Sequence, residues 1–423
     1  MLGLPRNLAL VYLVVVATYS AEGFITVVLP PYLQYQGVPL DSIGAIVSAL
    51  AFASLFSRLP AGLLYRPRRA NASIALAGLA VAAATFLYPR TDSEVVLGAL
   101  RLVHGFAFGV STTLNMAQFF DARPPDFDRG RAMGLFAACI AAGNMTGNFI
   151  GGWWADHLGF ESAFTAAAVF PLLAAATNLQ VHHEPPQGAG GEKKPSRGLT
   201  GTLRALRNPA ILLAALLLFC LNLMNQMFVA FFSLYGLGIG LSLTAVGTLR
   251  AAASFGGIFT RVFAGVLGRF WTAQRITRVG IAASGVVLFL VPTTTALVLL
   301  TPLVVAMAVL RSVVTVTGGV NVIDATDATA EQRGLASGLF NMGKDLGAMA
   351  GPFFGGLVSA QVGVGAMMQV IAVAALVLFW VPTALLEPRL RRARAARLAL
   401  PVETAKSPPA STPPPAGSAS RGD

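Results

Sequence analysis

The chain alternates long apolar runs with short polar breaks, and the runs are about 20 residues long, the length a helix needs to cross the hydrocarbon layer of a bilayer. They predict helices over 8–30, 41–64, 71–88, 94–119, 132–154 and 163–181, and again over 209–233, 244–267, 279–292, 297–321, 335–359 and 365–386. Glycine and proline within them are no objection, because neighbouring helices can satisfy backbone groups freed inside a membrane. The first run follows Arg6 in the manner of a cleaved leader, but its apolar character resumes through Leu29, so it reads as a span.

The breaks are uneven. Residues 182–208 hold HHEPPQGAGGEKKPSRGLTG, a polar stretch rich in Pro and Gly that reads as a linker. The expected organisation is a six-helix bundle over 1–181, a cytoplasmic linker over 182–208, a second six-helix bundle over 209–388 and a tail over 389–423. The tail is first basic (RLRRARAAR) and then, from Pro401, Pro/Ser-rich and expected to be disordered.

The two sets of runs are copies of each other. Arg333 to Gly356, RGLASGLFNMGKDLGAMAGPFFGG, repeats Arg129 to Gly152, RGRAMGLFAACIAAGNMTGNFIGG. FSRLPAGLLYR (Phe56 to Arg66) recurs as FTRVFAGVLGR (Phe259 to Arg269), and LRLVHGFAFGV (Leu100 to Val110) as LRSVVTVTGGV (Leu310 to Val320). Leu40 and Gly44 pair in the same way with Leu243 and Gly247. Similar offsets at separate helix pairs mean a duplication of six spans, with parallel halves because an even number of spans separates them.

Composition fixes the medium. Hydrophobic residues make up 55% and charged residues 11% of the chain, against about 25% charged in a soluble protein. The positive charge outside the runs gathers in alternate breaks, at Arg66, Arg68 and Arg69; Arg123, Arg129 and Arg131; Lys193, Lys194, Arg197, Arg204 and Arg207; Arg269, Arg275 and Arg278; and the basic tail, while the intervening loops carry Arg90 and almost nothing else. That asymmetry points to cytoplasmic termini and not to a nucleic-acid partner. Cys139 and Cys220 sit in apolar runs as core residues, and His182 and His183 have no metal-ligand companions. GAGGEKK lacks the ending of a phosphate-binding loop, no nucleophile, metal or base triad is clustered, and neither a cofactor nor enzymatic activity is expected.

Over residues 5 to 388 the sequence resembles the major facilitator superfamily. Gly62-Leu63-Leu64-Tyr65-Arg66-Pro67-Arg68-Arg69 is similar to a shortened form of the family's loop motif after span two, without its Asp. Arg101-Leu102-Val103-His104-Gly105 resembles the span-four motif, with His for Gln. Gly347, Gly351, Pro352, Gly355 and Gly356 match the glycine-rich antiporter motif in full, and Gly143, Gly147, Gly151 and Gly152 match it with Asn148 in place of Pro. The resemblance implies an all-α membrane protein of twelve transmembrane helices in two pseudo-symmetric six-helix bundles, rocking around a midplane site. It also implies that the span-five groove seals against a helix of the other half, a feature associated with export.

Charges inside apolar runs mark where chemistry would lie, because a charged side chain in hydrocarbon is costly. Glu22 is expected to carry a proton or touch substrate, or else to be wetted by an outer vestibule; Asn225 is its counterpart in the repeat. Arg101 and His104 resemble a proton relay, and Asp345 joins them as a proton-coupling candidate. Asn222, Asn225 and Gln226 give span seven a polar face for substrate, and Arg311 and Lys344 are further substrate-binding candidates. Arg58, Gly62, Arg66, Asp128, Arg261, Gly265 and Arg269, with Asp126 and Asp324, are expected at a cytoplasmic gate of switching ion pairs. Arg250 is expected to line the outer vestibule, and Trp153 and Trp154 to anchor an interface. The expected function is proton-coupled export of a small organic molecule by a monomer in a bacterial plasma membrane. An importer or uniporter of an organic anion, and a non-transporting sensor or assembly factor, are the competing readings.

Overall fold

The computed structural model describes residues 5–124, 127–182, 209–267, 271–324 and 330–398; the linker, most of the tail and Arg269 lie outside the described residues. In chain order the helices are α1 (Arg6–Tyr35), α2 (Leu40–Leu63), α3 (Pro67–Leu87), α4 (Glu94–Ala122), α5 (Arg129–Leu158) and α6 (Phe160–Asn178). The second set is α7 (Pro209–Gly238), α8 (Leu243–Leu267), α9 (Ala273–Leu290) and α10 (Leu297–Asp324), then a hydrogen-bonded run over Ala330–Leu398. That run contains one non-helical residue, Gly363, at φ 81° and ψ 163°, so it is two helices, α11 (330–362) and α12 (364–398). Ten stretches of the described residues are long and apolar enough to cross a membrane, the last of them, Asn341–Leu386, covering both arms of that turn.

The tight turns repeat with the sequence. Among the described residues, positive φ occurs only at Gly37, Gly159, Gly240 and Gly363, at 78°, 80°, 87° and 81°. Gly37 and Gly240 close the first hairpin of each half, and Gly159 and Gly363 the turn after the fifth helix of each half. Only glycine enters this left-handed region without steric cost, so duplication preserved the turns along with the helices. These turns lie at one end of the molecule, here the distal end. The chain's first described residues and the α2–α3 connection lie at the other, the terminal end.

Several helices outrun the expected spans, α12 by continuing to Leu398 through the basic segment expected in the tail. α1 continues through Pro30 and Pro31 to Tyr35; proline cannot donate to the residue four back, and the Thr26 carbonyl that Pro30 frees finds another donor. α9 starts at Ala273, ahead of the apolar run, where Thr272 caps it by accepting from the Arg275 N–H.

Within the first half α1 packs on α4, α5 and α6, and α3 on α4 and α6; within the second, α7 packs on the α11–α12 arm and α10 on α8 and α9. Two helix pairs make the main crossings between halves, α5 with α8 and α2 with α11, and α1 also meets α7 and α8. The glycine motif is split between these jobs. Gly143, Gly147 and Gly151 lie against the Val16, Ser20 and Phe24 turns of α1, and Gly347, Gly351 and Gly355 against Phe219, Leu223 and Met227 of α7. The groove therefore faces a helix of its own half, which corrects the expectation from the resemblance. Glycines four residues apart stay on one helix face, whereas the next residue turns by about 100°. That rotation sends Gly152 to Leu243 and Gly247 of α8, and Gly356 to Leu40 and Gly44 of α2.

Candidate functional site

The distal end is closed by these two contacts, and one carries a charge. Asp156, near the end of α5, accepts from the backbone N–H groups of Leu243 at 3.0 Å and Thr244 at 2.6 Å, and from the Thr244 hydroxyl at 2.6 Å. A carboxylate from the first half thus caps α8 of the second, where unpaired N–H groups and the helix dipole favour negative charge.

Toward the middle, Glu22 of α1 is held by two residues of α4. Arg101 Nη2 donates to Oε1 at 3.2 Å, and His104 Nε2 lies 3.3 Å from Oε2. Arg101 and His104 are three residues apart, so they share a face of α4, and both are buried. The Tyr88 hydroxyl, at the end of α3, sits 3.1 Å from His104 Nδ1. A carboxylate needs an N–H opposite it, so Nε2 carries the imidazole proton and Nδ1 accepts from Tyr88. Tyr88 also interacts with Arg101.

Glu22 and Arg101 border a cavity of about 40 Å³ where the halves meet, lined also by Thr26 and Pro30 of α1, Gln226 of α7 and Ala348 and Pro352 of α11, with apolar neighbours. Pro30 removes the donor that would meet the Thr26 carbonyl, and Arg250 of α8 fills the place. Its Nη1 donates to Thr26 O at 2.8 Å and its Nη2 to Thr26 Oγ1 at 3.0 Å. Arg250 is 7% exposed, so it bridges the halves and does not line an outer vestibule, correcting the expectation for it. It is near enough to Glu22 to interact electrostatically. Two buried guanidinium groups thus lie near one carboxylate, a set that attracts anions or holds a mobile proton.

The other candidates separate. Of the polar residues on α7, Gln226 lines the cavity; Asn222 is buried and donates to Leu218 O within its own helix at 3.0 Å, and Asn225 is buried beside it. Asp345 is not brought to Glu22: it pairs with Arg58 of α2 at 2.6 Å, a contact between halves in which the side chains are 39% and 17% exposed on Arg58 and Asp345. Lys344 and Arg311 are half-buried and engaged with neighbours. Asp128 caps α5, accepting from the Arg131 N–H at 2.7 Å. Arg66 is exposed ahead of α3, and Gly62 is exposed with only the Thr113 methyl nearby. The side chains of Arg261, Gly265 and Asp324, and Arg269 and Asp126 altogether, fall outside the described residues. Trp153 is exposed near the distal end and Trp154 donates to Ser162 at 3.2 Å.

Sequence reasoning missed Tyr88, Thr26 and Asp156. Pro30 was a usable signal, since a proline in a buried helix announces an unclaimed carbonyl four residues earlier.

Known proteins are similar in sequence and in shape. The Major Facilitator Superfamily model matches residues 11–329. An uncharacterized MFS-type transporter of Methanocaldococcus jannaschii is 21% identical over 377 residues, covering 88% of this chain and 96% of the relative. A second uncharacterized MFS-type transporter, YfkF of Bacillus subtilis, is 28% identical over 137 residues, 32% of this chain and 34% of that protein. Among solved structures, the nucleoside transporter NupG superposes with a TM-score of 0.74 at 15% identity, over 90% of this chain and 99% of that one. A bacterial homologue of the human lysosomal transporter Spinster, inward-facing and unoccupied, gives 0.71 at 14% identity, over 89% and 95%. The repeated helices, the crossing pairs between halves and the family match agree: this chain belongs to the major facilitator superfamily and is a membrane transporter of that kind.

Proposed function

We propose that the protein is a proton-coupled exporter of a small organic molecule, exchanging substrate against protons by rocking of two domains, residues 1–181 and 209–388, about the central cavity. The observation that carries this reading is Glu22, a carboxylate deep in the membrane region, held by Arg101 and His104 at the wall of a cavity shared by both halves. Protonating Glu22 discharges it and releases Arg101 and His104 from it, so substrate and proton can compete for the same cations. In this reading the terminal end faces the cytoplasm, and Arg58–Asp345 and Asp156–Thr244 are contacts made and broken as the halves rock. The glycine motif supports export by its similarity to the antiporter branches.

The test is Glu22→Gln in proteoliposomes, with a compound found by its thermal stabilisation of the purified protein. Accumulation driven by a pH gradient is expected to vanish while counterflow exchange persists; gradient-driven transport at the unaltered rate would overturn the reading. The buried Arg101 and Arg250 against the single Glu22 favour a second reading, uptake of an organic anion. Acidification when substrate is added to energised inverted vesicles separates them, since only proton exchange produces it.

A further inference from the structure

The proton and the substrate need not share a route. Helix α4 carries His104, Ser111, Asn115 and Gln118 at spacings of seven, four and three, all close to whole turns, so they form one polar line on its buried face. The line runs inside the first half, away from the central cavity, from the Glu22 cluster toward the terminal end. At 1.5 Å per residue it covers about 21 Å.

Its polar atoms are short of partners. Asn115 is 1% exposed, and among the described residues neither its Nδ2 nor its Oδ1 has a hydrogen-bond partner. Gln118 Oε1 and Asn178 Oδ1 are likewise buried without partners. A buried amide left unsatisfied costs about 1–3 kcal/mol, and such groups are normally met by internal water. Room exists at the top of the line: His104, Ser111 and Thr18 border a separate cavity of about 10 Å³ between α1, α3, α4 and α6, about the space of one water. The line also has an exit. Gln118 Nε2 donates to Asn71 Oδ1 at 2.6 Å, and Asn178 Nδ2 donates to Asn71 O at 3.0 Å. Asn71, in the first turn of α3, is partly exposed at the terminal end.

We propose that a file of bound waters along Ser111, Asn115 and Gln118, opening at Asn71, is the route by which Glu22 exchanges its proton with the terminal-end solution while the distal end is sealed. The proposal rests on the proton-coupled reading of Glu22. The groups facing that carboxyl are Arg101 and His104 of α4, Tyr88 at the end of α3 and, from α8, Arg250. When Glu22 is protonated, His104 Nε2 accepts from its carboxyl and Nδ1 carries the imidazole proton; the carboxyl proton then passes to Nε2 while the Nδ1 proton leaves to the water in the cavity that His104 shares with Ser111. Glu22 is then a carboxylate, His104 is neutral with its proton on Nε2, and one proton emerges at Asn71. The central cavity is left to substrate.

The test needs no substrate. In full-length protein in lipid nanodiscs, the infrared carbonyl band of protonated Glu22, assigned by its loss in Glu22→Gln, is followed after a pH jump. Asn115→Leu and Ser111→Val are expected to slow the appearance of that band on the order of ten-fold or more while leaving its titration midpoint in place; Asn115→Ser, which can still hold water, is expected to restore the rate. Unchanged rates in both variants overturn the route. So does a midpoint that moves with the rate, since that marks altered packing around Glu22. If no band is lost in Glu22→Gln, the coupling reading fails together with the route that ends there; a band that is lost, with wild-type kinetics in Asn115→Leu, overturns the route alone.

Discussion

Asp156 of α5 caps α8 across the boundary between halves, its Oδ2 lying 2.6 Å from the Thr244 N–H. The equivalent place in the repeat, beyond Gly356 on α11, is Ala360, so the pseudo-symmetric seal at α2 and α11 has no such cap. One side of the distal closure is therefore held by charge and backbone contact, the other by backbone contact alone.

Asp156→Ala removes an exposed cap, worth about 1 kcal/mol, or roughly fivefold in the balance of states. Spin-label distances between the distal ends of α5 and α8 are expected to show a larger open population, with the α2–α11 pair following because the halves move together. A distance distribution identical to wild type would remove the cap from the gating energetics.

Arg250 and Pro30 are predicted to be coupled. Arg250→Leu leaves the Thr26 carbonyl unmet, but Pro30→Ala gives that carbonyl a helical donor again. The double variant should therefore lose less stability than the two single losses together, with an interaction of about 1 kcal/mol. Thermal unfolding in detergent provides the four corners of the cycle, and strict additivity would refute the pairing.

Arg58 and Asp345 form a partly exposed pair, so either charge removed singly should cost no more than about 1 kcal/mol of stability. The larger effect is expected on rate, since the pair joins α2 to α11 toward the terminal end. The exchange Arg58→Asp with Asp345→Arg should recover transport lost in Arg58→Asp alone. Equal deficits in the single and exchanged variants would mean that the contact is not a gate element.

Gly247→Leu places a side chain where Asn148 and Gly152 of α5 approach. The variant is expected to fold, because the clash arises between halves and not within one, yet to remain distal-open. Cysteine labelling at the distal surface should rise and turnover should fall at least about tenfold; turnover at the wild-type rate would mean that the approach is dispensable.

Much of this architecture was legible because membrane helices advertise themselves by apolar length and because the chain states its plan twice. The repeat even anticipated the seams: Gly152 and Gly356 match in sequence, as do Gly44 and Gly247, and the four meet crosswise. Glu22, Arg101 and His104 were legible as a group since each is a costly charge in an apolar run. What was hidden depends on which helices cross and at what height. Arg250 finds Thr26 only through the α1–α8 crossing, Asp345 meets Arg58 and not the residues of its presumed relay, and Tyr88 reaches His104 through the α3–α4 hairpin. No spacing along one helix encodes such meetings.

The crosswise glycine contacts bring main chain against main chain, and that has a bearing on selectivity. A plug built from glycine and carbonyl groups has no pocket and no preferred guest; it excludes sodium ions, sugars and drugs alike. With substrate bound in the central cavity as proposed above, discrimination among cargoes falls to the few side chains around Glu22 and Gln226, and those can diverge without the closure having to be redesigned.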